Sequence, residues 1–191
     1  MKKLFAPLVT CLLLLITTPA TAASAQPTAT TPAHYRGRII DLAADWEGAR
    51  ACAVLSAREI RCYDSEAEQW RDLTQRRGRP TTRTTGRTTT TATEELDTYC
   101  LNRNDLAVVL YADTNFSGSS VSLFAADVWH DLSAISFDNV TSSWRNNTYC
   151  PATAAMGSGG TGTTTTWGAR SQNADVGSTW NDVVSSVMIT S

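Results

Sequence analysis

The chain contains one six-residue pattern twice, and this repeat constrains its fold more than any other feature. Asp138 begins "DNVTSS" and Asn181 begins "NDVVSS", so the two copies start 43 residues apart. An internal repeat of about forty residues matches the length of one four-stranded Greek key. Two such keys need about ninety residues, and residues 98–191 supply that length.

The composition of residues 98–191 also favours β structure. Short segments rich in Val, Thr and aromatic residues alternate with polar or Gly-containing segments: "LAVVLYA", "SVSLFA", "TSSWRNN", "TTTTWGA" and "SSVMITS". Helical periodicity is absent except for about one turn around "DVWHDLSA". Many short strands separated by turn signals predict an all-β sandwich or barrel.

Residues 1–25 have the three parts of a secretory signal peptide: "MKK", the apolar "LFAPLVTCLLLLITT" and the small residues of "PATAASA". The apolar run is short for a bilayer span, and no later stretch of the sequence is apolar enough to be one. Removing Lys2 and Lys3 moves the formal net charge from −2 to −4, which argues against a nucleic-acid partner. We therefore expect a secreted, extracellular monomer without a membrane span.

Four cysteines follow the signal peptide, and an even count in an exported chain predicts two disulfides. Three pairings are possible. We favour Cys52 with Cys62, because they flank the alternating segment "AVLSAREIR" as residues facing each other across a hairpin. We also favour Cys100 with Cys150, which bracket one repeat; this bond would close a long loop and stabilise the fold by about 4 kcal/mol.

The remaining segments differ in composition. Residues 26–33, "QPTATTPA", predict a disordered stub. Residues 34–73 predict a small β-rich N-terminal unit with a strand in "RIIDL", a hairpin of "ACAVL" and "EIRCY", and a helix over "SEAEQWRDL". Residues 74–97 are rich in Thr and Arg and predict a linker.

The helix of the N-terminal unit should be amphipathic. Ala67, Trp70 and Leu73 fall three residues apart and are predicted to share its buried face. The unit is too small to bury much core alone. It should therefore be held by its disulfide, by docking on the rest of the chain, or by both.

The segment "YADTNFSG" has Tyr111, four residues, Phe116, one residue and Gly118. Together with the two six-residue patterns, it resembles the βγ-crystallin domain. The resemblance implies a βγ-crystallin-like sandwich of two Greek keys. The predicted fold class is therefore all-β, with the small disulfide-stapled β-hairpin and helix of residues 34–73 as the N-terminal unit. In that family "Y-x4-F-x-G" forms a folded hairpin with an aromatic corner. The second repeat lacks this pattern, so its first hairpin should be degenerate.

The resemblance also implies a calcium signature: two Asn or Asp residues, two free positions, Ser or Thr, and Ser. Side-chain oxygens of the first, second and fifth positions and the carbonyl of the third would bind Ca²⁺, which prefers hard oxygen ligands. The predicted ligands are Asp138, Asn139, Val140 and Ser142 in one loop, Asn181, Asp182, Val183 and Ser185 in the other, and the carbonyl of Ala112. Alternatively, Asn-Asp only forms a turn and Ser-Ser only begins a strand.

Other motifs do not indicate catalysis. "GSGGTG" at 157–162 matches the dinucleotide fingerprint G-x-G-x-x-G, but a strand-forming segment follows it where a helix would be needed. His130 lies near Asp127 and Asp131, a possible acid–base cluster; we interpret it as a surface group beside a salt partner. Without a recognisable catalytic motif, the sequence predicts that the protein is not an enzyme.

The combined features favour a secreted calcium-binding module that acts by binding. The segment "ADVGSTWNDVVSSV" resembles the Streptomyces metalloproteinase inhibitor family, which implies an extracellular protease as partner. The alternative is a structural, stress-resistant extracellular or cell-envelope protein without inhibitory activity. Arginines of the linker would then tether it to anionic cell wall or polysaccharide; they are Arg76, Arg77, Arg79, Arg83 and Arg87.

Overall fold

The computed structural model describes residues 32–56, 58–77, 100–101 and 106–191. The predicted signal peptide and most of the predicted linker lie outside them. Helix α1 spans Glu66–Arg77. The strands are β1 (Ala33–Tyr35), β2 (Arg38–Ile40), β3 (Ala51–Ser56), β4 (Glu59–Tyr63), β5 (Val108–Asp113), β6 (Ser117–Leu123), β7 (His130–Asp131), β8 (Ser143–Asn146), β9 (Ala152–Ala155), β10 (Thr164–Trp167), β11 (Ser171–Asn173) and β12 (Ser186–Ile189).

Strands β5 to β12 form two Greek keys that exchange one strand. In the first key, β8, β5 and β6 lie side by side in one sheet, whereas β7 joins the other sheet beside β12. In the second key, β10, β9 and β12 lie side by side, whereas β11 joins the first sheet beside β8. Each key therefore completes the sheet of the other, and the predicted all-β sandwich of two Greek keys is confirmed.

The N-terminal unit continues the first sheet edge to edge. β3 pairs with β6 in parallel, from Ala51 opposite Ser120 to Val54 opposite Leu123. β4, β1 and β2 follow β3, which gives an eight-stranded sheet in the order β11-β8-β5-β6-β3-β4-β1-β2. The sequence left open whether this unit packs on the sandwich. It does so by sharing a sheet with it.

Two disulfides hold the chain. Cys52 and Cys62 lie directly opposite each other on β3 and β4, with their Cα atoms 4.1 Å apart, and form the staple predicted for the N-terminal hairpin. A second disulfide joins Cys100 to Cys150, with their Cα atoms 5.1 Å apart. Since Cys150 precedes β9, this bond anchors the segment before the first key to the connection between the keys.

Helix α1 covers the outer face of the shared sheet. Leu73 is buried, and Trp70 packs edge-on against Phe124 with ring centroids 5.7 Å apart. The predicted buried face is wrong at Ala67, which is exposed. Gln69 is buried instead, because its amide donates a hydrogen bond to the Ser122 hydroxyl on the sheet (2.7 Å).

Helix α1 starts after Ser65, whose hydroxyl accepts the N–H of Glu68 (3.2 Å) as an N-cap. It ends at Arg77, past the predicted end of the unit at 73. Arg76 therefore lies in the helix, where it pairs with Asp72 at 2.5 Å. In the part of the chain that the structure describes, no helix is long and apolar enough to cross a membrane.

Replacing Leu73 by Ala should lower the free energy of unfolding by about 2–4 kcal/mol, because it leaves a cavity between α1 and the sheet. Arg71→Ala, on the exposed side of the helix, should change it by less than about 0.5 kcal/mol. Urea denaturation followed by circular dichroism measures both. Equal midpoints for the two variants would contradict a helix docked on the sheet.

Candidate metal centre

The two signature copies form two loops, the first loop (138–143) and the second loop (181–186). Each ends at the first residue of a strand, β8 or β12. The second residue of each loop, Asn139 or Asp182, has a left-handed backbone, with φ of 57° and 56°. Asn and Asp accept this conformation more readily than other residues with a side chain. The turn therefore requires the residue types that also offer oxygen ligands.

The loops are bound to each other by two equivalent backbone hydrogen bonds. The N–H of Asn139 donates to the carbonyl of Val184 (3.1 Å), and the N–H of Asp182 donates to the carbonyl of Thr141 (3.2 Å). Each donor is the second residue of its loop, and each acceptor is the fourth residue of the other. The two loops therefore lie side by side in a pseudo-twofold arrangement.

The side chains of the loops meet in the same crosswise manner. Ser185 Oγ donates to Asn139 Oδ1 at 3.4 Å, and Ser142 Oγ donates to Asp182 Oδ1 at 3.5 Å. The sequence-based prediction assigned the ligands loop by loop. The structure instead places the fifth-position hydroxyl of each loop beside the second-position oxygen of the other, which makes two equivalent oxygen pairs.

The last serine of each loop fixes it to a hairpin. Ser143 Oγ donates to the carbonyl of Asp113 (2.6 Å) and accepts the N–H of Phe116 (3.1 Å). Ser186 Oγ makes the same two bonds in the second key, at 2.6 and 3.0 Å. Its partners are the carbonyl of Gly157 and the N–H of Gly160. The second hairpin therefore keeps the contacts of the first.

The second hairpin is degenerate in sequence, as predicted, but equivalent in backbone. Positive φ angles occur at Asn115, Phe116 and Gly118 in the first hairpin and at Gly159, Gly160 and Gly162 in the second. Three glycines of "GSGGTG" thus occupy the three left-handed positions. Ser186 and the left-handed turns thus define the conformation of this segment.

The first hairpin has the aromatic corner. The Tyr111 and Phe116 rings pack edge to face with centroids 5.7 Å apart, and the Arg145 guanidinium lies 4.0 Å above the Phe116 ring. Burial raises the pKa of the Tyr111 hydroxyl. That hydroxyl donates to Glu66 at the start of α1 (3.0 Å), so the N-terminal helix supports the corner.

Solved structures similar to this chain are βγ-crystallin domains. One from Clostridium beijerinckii is 29% identical, with a TM-score of 0.39 over 44% of this chain and 95% of that chain. One from Flavobacterium johnsoniae is 26% identical, with a TM-score of 0.38 over 43% of this chain and 91% of that chain. A βγ-crystallin from Ciona intestinalis is 21% identical, with a TM-score of 0.38 over 44% and 98%. No family model and no curated protein matches the chain.

The fold can be assigned from two features of this chain itself. These are the exchange of strands between the two sheets and the two hairpins bound by Ser143 and Ser186. Residues 106–191 have a βγ-crystallin-like fold. The crystallin-like domain differs from a free-standing pair of keys in one respect: its β6 edge is already occupied by β3 of the N-terminal unit.

The crystallin-like domain offers backbone carbonyls beside both loops. The N–H of Ser142 donates to the carbonyl of Tyr111 and that of Ser185 to the carbonyl of Ala155, both at 2.9 Å. Ala112, the predicted carbonyl donor, follows Tyr111. Met156, which follows Ala155, is the equivalent position in the second key. The sequence analysis missed Met156 because the second key lacks the aromatic pattern. The glycine spacing was the signal that could have identified it.

The loops also contain an oxygen suited to a cation. Oδ1 of Asp138 is buried without a hydrogen-bond partner, while its Oδ2 accepts the amide of Asn139 (3.1 Å). In the second loop the amide of Asn181 donates to Asp182 Oδ2 (2.7 Å). An unpaired buried carboxylate oxygen is costly unless a donor or a cation satisfies it.

The donor set consists of oxygen atoms. Val140 and Val183, the third residues of the loops and predicted carbonyl ligands, are partly buried. Among the described residues, no group of three or more His, Cys, Asp or Glu side chains is arranged to hold a metal ion. Carboxylate, amide, hydroxyl and carbonyl oxygens fit calcium, whereas zinc prefers nitrogen and sulfur ligands.

His130 has a structural role. Its Nε2 contacts the carbonyl of Ala125 at 2.9 Å, and its ring is partly buried rather than a surface group beside a salt partner. Asp131 accepts the N–H of Gly159 (2.6 Å), and Asp127 accepts the N–H of Ser191 (3.0 Å). Each side chain of the possible acid–base cluster thus contacts a backbone group.

Gly160→Ala should destabilise the protein more than Gly159→Ala, although both glycines have positive φ. A Cβ at Gly160 would lie 2.2 Å from Cζ2 of Trp129, whereas a Cβ at Gly159 meets no atom within 4 Å. Left-handed strain costs about 1–2 kcal/mol at either site, and the clash should add about 1–3 kcal/mol at Gly160. Thermal denaturation measures the difference. Equal losses would contradict the packing of Trp129 on this turn.

Protonation of His130 should destabilise the protein below neutral pH. Burial lowers the pKa of its imidazole from the usual 6.5, so folding favours the neutral form. Its contribution to stability is complete above pH 6.5 and is lost as the pH falls through the lowered pKa. Urea denaturation across this range should show a steeper loss for the wild type than for His130→Gln. His34→Gln, at an exposed site, is the control; parallel curves for wild type and His130→Gln would refute the assignment.

Proposed function

We propose that this protein is a secreted calcium-binding module that acts by binding rather than by catalysis. The observation that carries the proposal is the crosswise approach of the two loops, which pairs Asn139 with Ser185 and Asp182 with Ser142. Each pair contains one residue from each loop. A calcium ion at each pair would join one key to the other.

Each pair would be completed by nearby oxygens of the crystallin-like domain. The carbonyls of Val140 and Val183 lie within the loops, and those of Ala112 and Met156 lie on the hairpins bound to them. Asp138 would contribute its unpaired Oδ1, and Asn181 its amide oxygen. Calcium would supply positive charge to the unpaired Oδ1 of Asp138 and to the carboxylate of Asp182.

The charge of the loops predicts weak binding. Each loop has one carboxylate, which points to a Kd of about 10⁻⁴–10⁻³ M, the range of extracellular modules. Binding only to the folded state at ten times Kd would stabilise it by about 1.4 kcal/mol. Such a site would be occupied outside the cell, where calcium is abundant and disulfides persist.

Protease inhibition is a narrower hypothesis, supported by the sequence resemblance. A protein held by two disulfides and a shared sheet could present a loop with little loss of conformational entropy on binding. Full activity of thermolysin-like and serine proteases at high micromolar protein would exclude it. The structural alternative requires a basic tether, and Arg76 contributes little to one because Asp72 neutralises it.

Asp182→Asn should weaken one class of calcium sites by about tenfold or more, because it removes a carboxylate from one oxygen pair. Isothermal titration calorimetry of the calcium-free protein measures both classes. Asp45→Asn, at an exposed position of the N-terminal unit, should leave binding unchanged and serves as the matched control.

Calcium should also raise the melting temperature of the wild type by several degrees above that in chelator, and magnesium should do so less. The double variant Asn139→Ala, Asp182→Asn should lose this shift. No heat of binding and no shift in the wild type would refute calcium binding. A shift that survives in the double variant would place the metal elsewhere.

A further inference from the structure

The two halves of the crystallin-like domain differ in what occupies their outer edges. The strand registers make β6 and β10 equivalent: Ser120 pairs with Tyr111 as Thr164 pairs with Ala155. β6 carries β3 along Ser120–Leu123. Among the described strands, β10 pairs only with β9, so its outer edge has no partner strand.

The N-terminal unit adds an aromatic anchor to its strand pairing. Trp46, five residues before β3, stacks on Phe137 with ring centroids 5.9 Å apart, and its indole N–H donates to the carbonyl of Ile135 (2.9 Å). Phe137 immediately precedes the first loop and is 1% exposed. Strand and anchor together close this side of the sandwich.

The equivalent place in the second half is an open crevice. Trp180 immediately precedes the second loop, as Phe137 precedes the first, but it is only partly buried. It lines a crevice of 220 Å³ between the two sheets. The other lining residues are Trp144, Thr165, Thr166, Trp167, Asn173 and Val176. None of them is charged, which suits an aromatic side chain better than an ion.

The β10 edge lacks the features that usually block strand addition. Its sequence is "TTTW", without charge or proline, and its pairing with β9 has no bulge. The carbonyl of Thr163 accepts the N–H of Met156 (3.0 Å). By the alternation of an antiparallel ladder, the N–H and C=O of Thr164 and Thr166 point away from β9.

We propose that β10 and the Trp180 crevice form a docking site for an extended segment of a partner protein. The segment would add to Thr164–Trp167 as a parallel strand and place an aromatic side chain, located five residues before that strand, in the crevice. The chain's own Trp46 and β3 provide the template on the equivalent edge. Backbone hydrogen bonds would give affinity, and the aromatic anchor would give specificity.

A peptide copy of the template tests the proposal. The probe is residues 44–56 of this chain with Cys52 replaced by Ser, titrated into the ¹⁵N-labelled protein up to about 1 mM, a limit that includes weak affinities. Amide signals of Thr164–Trp167 and the indole signal of Trp180 should shift and saturate. The same peptide with Trp46→Ala should bind at least about tenfold more weakly, as expected for a central aromatic anchor.

Variants of the protein locate the strand pairing. Thr166→Pro removes an outward N–H without touching the β9 ladder and should weaken binding by about tenfold or more. Thr166→Val keeps that N–H and should bind within about twofold of the wild type, as a surface substitution does. If Thr166→Pro does not fold, the comparison of the two peptides decides.

Three results would overturn the proposal. The first is the absence of saturable shifts. The second is a set of shifts along β6 and Phe137, which would mean that the peptide displaces the chain's own β3. The third is concentration-dependent shifts at β10 without peptide, which would assign the edge to a second copy of this chain.

Discussion

The two reciprocal hydrogen bonds between the signature loops are the interaction on which the rest of the crystallin-like domain depends. Asn139 and Asp182 each donate a backbone N–H to the other loop, and each can do so because its backbone is left-handed. These bonds bring the two keys together in front of β8 and β12. The exchange of β7 and β11 between the sheets joins the same two keys, and the two crosswise oxygen pairs lie beside these bonds. The same left-handed turn, present once in each loop, thus lies both at the contact between the keys and at the candidate metal centre.

Much of this architecture could be predicted from the sequence, where the signal was local. The repeat of "DNVTSS" and "NDVVSS" gave the two keys, and the spacing of Cys52 and Cys62 gave the N-terminal hairpin. The attachment of that hairpin could not be predicted, because parallel pairing of β3 with β6 leaves no periodicity in either strand. The predicted buried face of α1 was wrong at Ala67, and Gln69 is buried instead because Ser122 offers its polar side chain a partner. The sequence analysis did not predict that the second hairpin has the backbone conformation of the first, because glycines and not aromatic residues encode it.

The N-terminal unit makes the two halves of a nearly symmetric domain unequal. It covers the β6 edge, packs Trp46 on the residue before the first loop, and connects α1 to the aromatic corner through Glu66 and Tyr111. The second loop is fixed to its own hairpin by Ser186, and there Trp129 packs on Gly160 in place of a corner aromatic. A shared sheet therefore braces one half of the domain and leaves the other half, with β10 and Trp180, accessible to a partner.

Hydrogen exchange of the Asn139 and Asp182 amides tests most directly whether the loops act as one crosswise unit that calcium joins. Both amides should be protected in the calcium-free protein, because each is bonded to the opposite loop. Calcium should slow the exchange of both, since an ion at either pair connects the same two loops. Protection of only one amide, or a calcium response at neither, would contradict the account.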